Sequence, residues 1–153
     1  MDPAQRTAFE AYLARVQAQR AELREAVAAV DEALARPLGT ARWRERVHTA
    51  LVELEHDLRD HVELTEGEDG LFETVLAEDT RLSPAVEQQR HEHDELGQRV
   101  AGSLATLEAV VPPEALPAFR EELTTLVGDL VRHRQRVNDL IYEAFSVDLG
   151  GQG

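Results

Sequence analysis

The sequence predicts an all-α fold, an antiparallel up-down four-helix bundle with a short extra helix between its second and third members. Three observations predict it. Apolar residues recur in alternating steps of four and three along four long stretches, the seam of a helix packed in a bundle. Proline and glycine punctuate the chain at Pro37–Gly39, Gly67–Gly70, Pro84 and Pro112-Pro113, which leaves short connections between the stretches. Composition agrees, because Ala, Leu, Glu and Arg dominate and aromatics are only 5%, a mixture that favours helix over sheet. The 153 residues suit one domain, residues 1–149, with 150–153 a flexible glycine-rich tail.

The first helix opens with Asp2 as cap and Pro3 in the first turn. Its seam reads Phe9, Leu13, Val16, Arg20, Leu23, Val27, Val30, Leu34, with Arg20 the one polar seat. Thr40 can cap the second helix, whose seam is Val47, Leu51, Leu54, Leu58, His61, and the next step lands on Thr65. The run 66–70, with two glycines in five residues, reads as a loop. Asp69 can cap a short helix over Leu71, Phe72, Val75 and Leu76, a plug at one end of the bundle. Ser83-Pro84 starts the third helix as cap and first-turn proline. Its seam is Leu82, Val86, Gln89, His93, Leu96, Val100, Ser103, Leu107, Val110. Pro117 opens the fourth helix, with the seam Phe119, Leu123, Leu126, Leu130, His133, Val137, Leu140, Ala144. A long dimerising hairpin is the alternative architecture, but the breaks divide the chain too evenly for it.

Charge and composition exclude several functions. The formal net charge is −14, so the surface repels phosphate, and nucleic acid and anionic membranes are not expected partners. The acidic run from Glu53 to Asp79, with Arg59 its one cation, reads as a solvated face or as a cation-attracting one. There is no cysteine, which rules out thiolate catalysis, disulfides and cysteine-ligated metals. No nucleophile with a neighbouring base is identifiable, as the few Ser and Thr residues fall at caps and loops. The opening MDPAQRTAFE has no charged segment followed by an apolar core. No apolar run approaches the ~20 residues of a membrane span. A cytoplasmic protein, monomeric or homodimeric, is the expectation.

Counting from shared helix ends places the polar seats at one height. His61 lies as far beyond Val47 as Arg20 lies before Leu34, and His93 and His133 match in the same way from Val110 and Leu116. The expected layer is Arg20, His61, His93 and His133. Three imidazoles at one level can supply nitrogen ligands to Zn, Fe or Mn. Asp57 and Asp129 each precede a layer histidine by four residues, and Glu66 follows His61 by five, so these acids are candidates to ligate or to hold the second imidazole nitrogens. Arg20 speaks for the other arrangement, a buried Arg-His-carboxylate network. His91 with Glu95, His56 with Asp60, and His48 fall off the seams and read as surface groups. Arg132, Arg134 and Arg136 are expected to pair with acids across the bundle, and Trp43 to cap the core.

With these motifs the chain resembles the hemerythrin-like, or HHE cation-binding, family. The matching features are His61 with Glu66 and Leu71-Phe72, Arg90-His91-Glu92-His93, and His133-Arg134-Gln135-Arg136. The resemblance implies a four-helix bundle around a non-haem di-iron centre used for oxygen binding, sensing, or peroxide and nitric oxide chemistry. The ligand set diverges. The family has a histidine where Arg20 stands, a glutamate four after the second-helix histidine where Thr65 stands, a second third-helix histidine where His93 has only Gln89 or Gly97, and an aspartate five after the fourth-helix histidine where Asn138 stands. The implication is an altered or lost metal centre. Two functions follow as expectations: a domain binding one iron or zinc ion through His61, His93 and His133 with a displaced acid, for oxygen-species or metal sensing, or a metal-free regulatory bundle. Metal binding would weaken below about pH 6 as imidazoles protonate.

Overall fold

The computed structural model describes residues 2–38, 40, 42–109 and 111–146, excluding the Gln5 side chain. Gly39, Val110 and the tail at 150–153 lie outside the described residues. The elements are α1 (Pro3–Leu34), α2 (Trp43–Glu66), α3 (Leu71–Glu78), α4 (Ser83–Glu108) and α5 (Leu116–Phe145), with single 3-10 turns at Thr80–Leu82 and Pro113–Ala115. Among the described residues there is no strand. α1, with 32 residues, is about 48 Å long at 1.5 Å per residue. No helix is long and apolar enough to cross a membrane.

Four long helices form a bundle. α1 packs on α2 and α5, and α4 packs on the same two, so each long helix has two long neighbours. The seams account for this. Val16, Leu23, Val27, Val30 and Leu34 of α1, Val47 to Leu58 of α2, and Phe119 to Leu140 of α5 are buried at their expected steps. One seat on α4 differs: Ser103 is only half-buried and its hydroxyl donates to the Arg99 carbonyl, while the neighbouring Leu104 turns inward. Burying a leucine gains about 2 kcal/mol over leaving it exposed, and a serine contributes no comparable term.

Helix starts differ in detail from the sequence reading. α2 begins at Trp43, with Arg42 rather than Thr40 at its N-cap, and Thr40 instead accepts the Trp43 N–H through its carbonyl. Ser83 is the first residue of α4 and Leu82 its cap, because the preceding 3-10 turn, capped by the Asp79 carboxylate on the Arg81 N–H, runs directly into it. Gly70 rather than Asp69 caps α3, and Asp69 takes a left-handed φ of 57°. Gly70 is required there: a Cβ would lie 2.7, 2.8 and 2.9 Å from the carbonyl oxygens of Gly67, Leu64 and Thr65. That tight turn folds α3 back over the end of α2, where Leu71, Phe72 and Val75 are fully buried.

The apolar interior is divided in two. The larger cluster holds Leu23, Val27, Val30, Leu51, Leu54, Leu58, Leu96, Val100, Leu123 and Leu130 among others. The smaller, under α3, holds Val16, Leu71, Phe72, Val75, Val86, Val137, Leu140 and Ile141. Between them runs a belt of polar side chains that spans all four long helices. Among the described residues the buried polar groups are Arg20, His61, Thr65, Gln89, His93, His133, Arg134 and Asn138. Arg20 falls between Val16 and Leu23, His93 between Val86 and Leu96, and His133 between Leu130 and Val137, each time with one cluster on either side.

Candidate metal centre

His61 of α2, His93 of α4 and His133 of α5 meet at the centre of the belt. Each offers a ring nitrogen, and these three atoms lie within 4.8 Å of one another. The rings approach edge to face, with centroids 5.0, 5.2 and 4.8 Å apart. Phe72 stacks on His93 with its ring nearly parallel, 12° away. The α3 plug is therefore also one wall of the cluster.

The outer nitrogen of each ring has a partner. His133 Nδ1 is 2.8 Å from Glu92 Oε1, and His93 Nδ1 meets Glu66 Oε2. His61 Nδ1 is 3.2 Å from Gln19 Oε1. A carboxylate only accepts, so Nδ1 carries the proton in His93 and His133. The Gln19 amide is oriented independently, because its Nε2 donates to the Asp57 carbonyl at 3.0 Å. Its oxygen then faces His61, and Nδ1 of that ring is the donor as well.

All three Nε2 atoms consequently carry lone pairs directed inward. His61 Nε2 and His133 Nε2 are 3.1 Å apart, and His93 Nε2 is buried with no hydrogen-bond partner. No proton bridges them at neutral pH. Burial, followed by the fields of the other two imidazoles and of Arg20 and Arg134, holds His61 well below its ordinary value. Burial lowers His93 despite the Glu66 carboxylate, and lowers His133 to about 4 despite Glu92. Two neutral nitrogens facing at this distance repel unless a cation lies between them. Nitrogens around a tetrahedral ion with bonds of about 2.0–2.1 Å are about 3.3 Å apart, close to the 3.1 Å between His61 and His133, and the His93 nitrogen lies within 4.8 Å of both. The donor set fits a mononuclear divalent metal: three neutral imidazoles, each with its outer N–H held in place.

The acids divide. Glu66, the last residue of α2, reaches the centre through His93 and is also paired with Arg90 at 3.3 Å. Asp57 and Asp129 are not brought to the cluster. Asp129 is held by Arg99 and Arg132, which keep its carboxyl below the usual range. Asp57 joins His56 and Asp60 in a group at the surface; partial burial, Glu22 and Glu53 raise its pKa. A residue four before a histidine shares its helix face only within about 40°, and here that offset turns both side chains towards solvent. Glu92 and Gln19 take their place. Glu92 sits on His93's own helix but turns sideways to α5, where Arg136 also holds it at 3.0 Å. Burial alone would raise its carboxyl, but the hydrogen bonds from His133 and Gln88 outweigh this and lower it. Both residues lie off the seams, so apolar periodicity carries no signal for them; adjacency to a layer residue is the only trace.

Arg20 is buried in the belt as expected, whereas Arg134 is buried too and does not lie at the surface with Arg132 and Arg136. His56 pairs with Asp60 and His48 with Glu108 at the surface. No protein-family profile, curated protein or solved structure matches the chain.

Proposed function

We propose that this chain is a hemerythrin-like, antiparallel up-down domain that holds one non-haem metal ion, iron or zinc, through Nε2 of His61, His93 and His133, for sensing metal or oxygen species. One observation carries the reading: three buried imidazoles from three helices, their outer N–H groups engaged, bring one ring nitrogen each to within 4.8 Å of the others. Gln19, Glu66 and Glu92 orient the rings and raise their basicity as ligands. The ion would supply Lewis acidity, or redox chemistry if iron, with coordination positions left for an outside ligand. The displaced carboxylates argue against a di-iron centre of the family's usual kind, since Thr65, Gln89 and Asn138 occupy the seats where it has ligands.

The metal-free regulatory bundle is the second reading, favoured by Arg20 and Arg134 in the same belt. It leaves the 3.1 Å approach of His61 and His133 without a physical cause. Metal analysis separates the two. Protein made without a histidine tag and loaded anaerobically with ferrous iron, or with zinc, should retain about one ion per chain. His133→Ala should lose it. Protein that stays metal-free after both loadings has the second function.

A further inference from the structure

We propose that α3 is the gate of the metal centre: an ion enters and leaves past Phe72, and Arg90 latches the gate by holding Phe72 and Glu66 together. The inference rests on the metal reading.

Printed side by side along the fold, four side chains lead from solvent to the centre. Phe72 stacks on His93 with ring centroids 5.7 Å apart. The Arg90 guanidinium lies over the same Phe72 ring, 5.5 Å from its centroid, and donates to Glu66 Oε1 at 3.3 Å. Glu66 Oε2 accepts from His93 Nδ1. One cation therefore fastens both the aromatic wall and the carboxylate that orients His93. The side chains of Arg90 and Glu66 are partly exposed, at 33% and 23%, whereas His93 is buried.

The mechanics favour this side. α3 has eight residues and is bounded by extended backbone at Gly70 and Asp79, so it swings without unwinding a long helix. Glu66 ends α2 and moves with the turn that follows it. The rival opening is a surface hollow between α4 and α5, lined by Gln88, Glu92, Leu96, Arg99 and Asp129 among others. Glu92 closes it from the middle of α4, held at once by His133, Arg136 and Gln88. Passage there requires two long helices to part. Charge points the same way, because the chain from Glu63 to Asp79 carries acids and neither Lys nor Arg, which draws cations to the gate. Opening uncovers Leu71, Phe72 and Val75, so the open form is rare and exchange is slow.

The test mixes the full metal-free chain with cobalt(II) in a stopped-flow instrument and follows the visible spectrum of the bound ion; release is read on adding chelator. The uptake rate should level off as cobalt is raised, at the rate of opening. Arg90→Met removes both contacts of the latch and should raise the plateau and the release rate together, each about tenfold. A weakened ligand contact would raise release and leave uptake alone. Arg90→Gln replaces the methionine variant should that one fold poorly. Arg99→Met, which widens the rival hollow, should leave both rates at the wild-type value. Uptake proportional to cobalt with no plateau, Arg90→Met rates equal to wild type, or acceleration by Arg99→Met instead overturns the proposal. Any of these in a chain that binds cobalt at equilibrium sinks the gate alone, whereas a chain that takes up no cobalt sinks the metal reading with it.

Discussion

Gln19 sets the tautomer of His61. Its amide nitrogen is held on the Asp57 carbonyl at 3.0 Å, which turns its oxygen to the imidazole Nδ1 at 3.2 Å. A residue on α1 thereby decides that the inner nitrogen of an α2 histidine carries a lone pair. Glu66 and Glu92 do the same for His93 and His133. Three independent contacts from three helices thus impose one protonation pattern on the cluster.

Removing one of those contacts should loosen the ion without removing a ligand. Gln19→Leu frees His61 to rotate or change tautomer, and Glu92→Gln weakens the hold on His133. Each should lower metal affinity roughly 10- to 100-fold, measured by competition with a chromophoric chelator. Affinities equal to wild type would mean that the outer contacts do not orient the rings.

Metal should stabilise the fold, because the ligands come from three helices and meet only in the folded chain. At a free ion concentration 100 times the dissociation constant, the gain is about 2.7 kcal/mol. For a chain of this length that raises Tm by about 5–10 °C. Differential scanning calorimetry with and without chelator measures it, and an unchanged Tm in metal-loaded protein would contradict the prediction.

The metal-free protein should lose stability as pH falls from about 6.5 towards 4. His133 titrates at about 4 when folded against an ordinary 6.5. Between those values the unfolded chain binds the proton and the folded chain does not, so stability rises with pH across the window. The contribution of this group is present in full above 6.5 and has gone by pH 4. It amounts to about 3 kcal/mol, and His61 and His93 act in the same direction. Urea midpoints measured from pH 7.5 to 4 read the slope. The same depression moves proton competition for the metal below the pH 6 expected of free imidazoles, so bound ion should survive dialysis at pH 5.5.

Gly70→Ala should disturb the site from a distance. A Cβ there meets three backbone carbonyl oxygens within 3 Å, so the turn that follows Glu66 must open. The cost is about 1–3 kcal/mol, and displacement of Glu66 and of Phe72 on His93 should weaken metal binding as well. Asp69→Ala, at the neighbouring left-handed residue, should cost stability but leave metal affinity near wild type. Equal effects of the two on affinity would separate the turn from the site.

The helices and the level of the polar seats were legible in the chain, because a helix repeats every 3.6 residues and a bundle demands one apolar face. His61, His93 and His133 each interrupt such a face, and counting from shared ends was enough to place them together. The carboxylates were less legible. Asp57, Asp129 and Glu66 were candidates by helical spacing, yet only Glu66 arrives, since reach across a bundle depends on side-chain direction between helices and not on steps along one. Glu92 passed unnoticed as a partner for His133 for that reason, and Gln19 was hidden beside the more conspicuous Arg20.

By itself, then, the order of residues determined an acidic, cysteine-free helical chain whose apolar seam is interrupted by polar residues on every long helix. Periodicity is a local property, and it survives in one dimension. What only the tertiary structure decided is which nitrogen of each ring faces inward, and that the interruption separates two apolar clusters. Those facts depend on contacts between α1, α2, α4 and α5, such as Gln19 with His61 and Glu92 with His133, and no spacing within a single helix encodes them.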